Sequence, residues 1–163
     1  MKQTLKTILI LTFAIILFYA FGAFFYDKYY DFQLNLISLF SGGKIHFFGK
    51  FPFLFFGDPY FRFFTALIPV AVFLTSLISK KISLKFLLAS FLIILASVFL
   101  CTVIKGYFES LKLANYSSYL ANDKNLLFIP LNEVNILKPY FAGIILGTFL
   151  SGLVNYRFRR TQL

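Results

Sequence analysis

The chain alternates long apolar runs with mixed polar stretches. Runs at 7–25, 59–79, 86–104 and 139–156 contain no acid, and Arg62, near the outer end of the second, is their only cation. At about 1.5 Å per residue, each run can cross roughly 30 Å of hydrocarbon as a helix. Pro59 and Pro139 fall at first helical turns, where the missing N–H costs nothing. Pro69 lies inside the second run and is expected to kink it, leaving a carbonyl for a neighbouring helix to satisfy. The pattern predicts an all-α membrane protein. It reads as a four-transmembrane-helix bundle, one integral domain over 1–163, with two long extracytoplasmic loops at 26–58 and 105–138.

Composition supports a membrane. Of the 163 residues 60% are hydrophobic and only 13% charged, and the mean hydropathy is +0.82. One soluble core of this size could not hide that much apolar surface. The net charge of +10 would suggest nucleic acid in a soluble chain. Here the cations flank the apolar runs, so they read as topology signals and lipid headgroup contacts, and no nucleic-acid partner is expected.

Charge also sets the orientation. Lys2 and Lys6 precede the first run, Lys80, Lys81 and Lys85 fill the turn between the second and third, and Arg157, Arg159 and Arg160 follow the fourth. No acid accompanies them. All six acids lie in the two long loops. The acid-free side is therefore expected to be cytoplasmic, with both termini inside and the protein in the plasma (inner) membrane. The first run also resembles a signal peptide, with Ala20-Phe21-Gly22-Ala23 as a small-residue patch. Its apolar stretch is long for that role, which favours a retained span.

Two halves of the chain echo each other. Lys2–Lys6 resembles Lys81–Lys85, and Pro59-Tyr60-Phe61 matches Pro139-Tyr140-Phe141. This spacing suggests two helix–loop–helix hairpins in the same orientation.

Chemistry-bearing residues are sparse. A single cysteine and a single histidine leave no disulfide, no cysteine zinc site and no paired-histidine haem site within one chain. No metal or cofactor is expected. The four runs hold no Asp, Glu, Lys, Arg or His away from their ends, which argues against a proton relay or a charged selectivity ring. One catalytic constellation is conceivable: Cys101 as thiolate nucleophile, His46 as acid–base and Arg62 as oxyanion stabiliser. The set resembles that of exosortase-like membrane transpeptidases. The order here is His, Arg, Cys, and no surrounding motif matches theirs.

Two features point to contact surfaces. Gly143, Gly147, Ser151 and Asn155 repeat at i+4 along one face of the fourth run, a GxxxG pattern that lets another backbone approach closely. The first outer loop is unusually aromatic, above all at Phe51, Phe53, Phe55 and Phe56. Such a surface belongs against lipid headgroups, over the bundle or against another protein. Within that loop 31–40 has too short a period to decide between strand and helix, while Leu126–Leu131 suits a short strand. Asn132 is a candidate helix cap, and Asn115-Tyr116-Ser117 formally matches a glycosylation acceptor. The expected function is a small non-catalytic subunit that binds membrane lipids and other membrane subunits or a second copy of itself. An oligomeric pore or small transporter, and the cysteine transpeptidase, are the alternatives.

Overall fold

The computed structural model describes residues 2–49, 57–78, 83–115, 127–131 and 134–160. In chain order they form α1 (Lys2–Phe40), β1 (Ile45–Phe48), α2 (Pro59–Ile78), α3 (Leu84–Asn115), β2 (Leu127–Pro130) and α4 (Leu137–Arg160). Each of the four helices is long and apolar enough to cross a membrane.

The first outer loop is not a loop where it begins. Helix α1 continues from the apolar run to Phe40 and is 39 residues long, about 58 Å at the helical rise. The reason is a stripe that a strand could not bury. Tyr26, Tyr29, Tyr30, Gln33 and Ile37 are all buried, and their spacing is that of one helical face. The helix ends where the backbone demands glycine. Gly42 has φ +67°, its N–H reaches the carbonyl of Leu39 at 3.1 Å, and that of Gly43 reaches Ser38 at 2.9 Å. This is the Schellman arrangement that satisfies the last carbonyls.

The second outer loop is shortened in the same way. Helix α3 runs on to Asn115, and α4 begins at Leu137 rather than at Pro139. Helix α2 starts with Asp58, whose carboxylate accepts the N–H groups of Tyr60 at 2.7 Å and Phe61 at 3.2 Å. Asn135 caps α4 by accepting from the N–H of Lys138 at 3.1 Å; Asn132 lies outside the described residues. Helix α2 continues through Pro69.

Two strands qualify the all-helical expectation. β1 pairs with β2 in parallel, from Ile45 opposite Leu127 to Phe48 opposite Pro130. The strand in the first loop lies at 45–48, beyond the 31–36 stretch that alternates in sequence. Each strand follows one long helix and precedes the next, so the element order reads helix–strand–helix twice. A parallel pair needs both strands to run the same way, and two hairpins with the same orientation provide that.

Helices α3 and α4 approach most closely. A Cβ on Gly143 would meet the Cα of Val98 at 2.4 Å, and one on Gly147 the Cα of Ile94 at 2.6 Å. At the other end of α4, Asn155 donates through Nδ2 to the carbonyl of Thr75 on α2 at 2.9 Å and to Ser90 Oγ on α3 at 3.0 Å. One side chain thus ties three helices. Thr65, Ser97, Thr102 and Thr148 each donate their hydroxyl to the carbonyl four residues back, which removes the cost of a buried hydroxyl in an apolar setting.

Candidate functional site

Rings from α1, α2 and α4 meet in an aromatic cluster, to which α3 adds a threonine hydroxyl. Phe61 of α2 stacks on Tyr140 of α4 with ring centroids 4.2 Å apart, and Tyr29 of α1 meets the same ring edge-on at 5.0 Å. Their hydroxyls are satisfied in sequence. Thr65 gives its proton to the Phe61 carbonyl, so the 2.9 Å contact between Tyr140 and Thr65 is donated by the tyrosine. Thr102 gives its proton to Val98, so Tyr29 donates across 2.6 Å to Thr102. Tyr30 donates to the carbonyl of Leu131, fastening α1 to the end of β2.

Beside this cluster lies a cleft of about 620 Å³ between α1 and α3. Phe18, Phe21, Phe25 and Phe32 line it from α1, and Phe91, Leu95 and Phe99 from α3. Thr65, Ile68 and Tyr140 lie behind them. At one end Phe32 stacks on Phe99 with centroids 5.7 Å apart, and at the other Phe18 meets Phe91 edge-on at 6.1 Å. The cleft is thus a window closed above and below by aromatic pairs. Its volume is that of a ligand site, and the hydroxyls at its floor are already paired with one another.

The residues singled out in the sequence fall in different places. His46 is exposed on β1 and lines a shallow groove with Asp31, Asn35 and Ser38. Arg62, in the first turn of α2, lies over the Tyr19 ring at 4.0 Å and donates to the Tyr19 carbonyl at 3.5 Å. Cys101 is a half-buried free thiol on α3. Each of the three sits on its own element, and Arg62 is turned to α1. Gly143 and Gly147 face α3, while Ser151 and Asn155 are fully buried, so this face of α4 is occupied by the chain's own helices. Phe51, Phe53, Phe55 and Phe56 lie outside the described residues.

Two features escape a reading of the sequence. The cleft depends on α1 and α3 diverging between two points of contact, which no local pattern encodes. Gln33 is fully buried, and neither its Oε1 nor its Nε2 has a hydrogen-bond partner. A polar residue on an otherwise apolar stripe was the available signal. Among the described residues no group of three or more His, Cys, Asp or Glu side chains is placed to hold a metal ion. No protein-family model, no curated protein and no solved structure matches this chain.

Proposed function

We propose that this chain is a small, non-catalytic, multi-pass subunit of a larger membrane assembly, resident in the plasma (inner) membrane with both termini cytoplasmic. The observation that carries this reading is how little of the most apolar stretch of α1 the rest of the chain covers. Within the most apolar window of each helix, 6% is buried for α1 against 44% for α2, 28% for α3 and 33% for α4. Leu5, Leu9, Phe13 and Ile16 are each more than 60% exposed and form one ridge at helical spacing. That ridge lies away from Phe18 and Phe25, which line the cleft. A membrane subunit offers a partner helix such a face, where close packing rather than hydrophobicity holds the pair.

The rival readings have less support. The buried carboxylates among the described residues are Asp58 and Glu109, both toward the outer ends of their helices, and no Lys, Arg or His is buried. A coupled transporter retains such groups in its interior. For the transpeptidase, Arg62 is already engaged with Tyr19.

Photo-crosslinking in the native host tests the subunit reading. A benzophenone side chain at Phe13 is expected to give one discrete protein adduct, and the same group at Phe149 on α4 none. Adducts to lipid alone at both positions would overturn it.

A further inference from the structure

We infer that the partner on the exposed ridge of α1 is a transmembrane helix carrying an Asp or Glu in the outer third of its span, ion-paired with Arg62. The inference rests on the subunit reading above and names the chemistry of that partner.

Arg62 reaches the wrong way for a cation near a membrane surface. Such a side chain ordinarily extends outward, with its stem in hydrocarbon and its charge among the headgroups. The Cα of Arg62 stands beside Gly22 of α1, where a Cβ would be 3.0 Å from it. Its guanidinium lies over the Tyr19 ring at 4.0 Å, three residues nearer the cytoplasmic end of α1. Tyr19 is six residues inside Phe25, the outer end of the apolar run, which is about 9 Å. The charge is thus held in hydrocarbon, below the phosphates.

No acid among the described residues neutralises it there. A guanidinium has five N–H donors. Nε donates to the Tyr19 carbonyl at 3.5 Å, and the ring face adds attraction but no counter-charge. Asp58, one turn back on α2, is buried and accepts the N–H groups of Tyr60 and Phe61. Asp27 is eight residues beyond Tyr19 on α1, about 12 Å further out, and Asp31 lies beyond that. The ion pair between Lys105 and Glu109 is the only one among the described residues. A cation kept at this depth calls for an anion at the same depth.

Position says which molecule brings that anion. Tyr19 is at i+3 from Ile16, the outer end of the ridge, and Arg62 is half-exposed beside it. A helix lying along Leu9, Phe13 and Ile16 therefore passes the guanidinium. Exposed Ala20 continues the ridge past this point without bulk to hold the partner off. A second copy fits poorly, because none of the six acids lies inside an apolar run and its charge at this depth is another Arg62.

The test follows the Phe13 photo-adduct in the native host. Arg62→Leu is expected to cut its yield about tenfold, and Arg62→Lys, which keeps the charge, to retain most of it. The adducted chain, identified by mass spectrometry, is expected to hold an Asp or Glu in the outer third of a span. Replacing that acid by Lys is expected to abolish the adduct with the wild-type chain and to restore it with Arg62→Glu. An adducted helix without such an acid overturns the inference, and that result needs no variant to fold. A yield indifferent to Arg62→Leu also overturns it; loss of a bound anionic phospholipid from that variant would then assign the charge to lipid phosphate. Absence of any protein adduct from the wild type overturns the subunit reading and the inference with it.

Discussion

A Cβ on Gly143 of α4 would stand 2.4 Å from the Cα of Val98 on α3. Real Cβ atoms do not approach backbone that closely, and backbone cannot swing aside as a side-chain tip can. Gly143→Ala is therefore expected to force α3 and α4 apart and to cost about 2–3 kcal/mol, the range of an overpacked core. Gly152→Ala is the matched control, since its Cβ would meet only Ile78 Cδ1 at 3.4 Å. Thermal unfolding in detergent micelles reads both. Equal midpoints for the two variants would refute the close approach.

Asn155 makes a different kind of tie. Its amide bonds to Thr75 and Ser90 join α4 to α2 and α3 near the end of the bundle opposite the strands. Hydrogen bonds between membrane helices are worth about 0.6 kcal/mol each on average. Asn155→Leu is expected to lose roughly 1–2 kcal/mol, because it also strands the Thr75 carbonyl of one partner. Asn155→Gln, which keeps the amide but is too long for the site, is expected to recover only part of that. Full recovery would mean that the geometry of the junction is loose.

How much of this was legible depends on how local the cause is. The four spans could be read from sequence because the length of an apolar run is a local property. The helical stripe from Tyr26 to Ile37 was equally visible, yet the expectation of a loop followed the charges of Asp27, Lys28 and Asp31 instead. Those charges sit on the side of the helix that Tyr26, Tyr29 and Tyr30 do not use. The repeat of small residues from Gly143 to Asn155 announced a close contact, but which helix makes it depends on the whole bundle. The pairing of Ile45 with Leu127 joins segments far apart in the chain, so no window of sequence holds it. The cleft is harder still, for it is a gap between two helices rather than a property of either.

Gln33 offers a test with the opposite sign. A buried amide without partners costs more than the apolar side chain that would fill its place. Gln33→Met, similar in length and without the polar group, is expected to raise stability by about 1–2 kcal/mol in the same unfolding assay. Gly106 stands opposite, with its Cβ position 3.7 Å from Nε2, so the thioether has room. A loss of stability would show that the amide is engaged in the native protein.

The orientation can be measured directly with cysteine accessibility, because the chain has one cysteine to remove. In a Cys101→Ala background, Lys44→Cys and Thr4→Cys place single thiols at exposed positions near opposite ends of α1. Lys44 follows the Schellman turn at Gly42, on the side where the two strands pair; Thr4 lies among the acid-free cations. A membrane-impermeant maleimide added to intact cells is expected to label Lys44→Cys and to reach Thr4→Cys only after permeabilisation. Charge sets this expectation, since lysine and arginine near the ends of short loops hold a segment in the cytoplasm and aspartate and glutamate contribute little. Labelling of Thr4→Cys in intact cells, with Lys44→Cys protected, would invert the orientation.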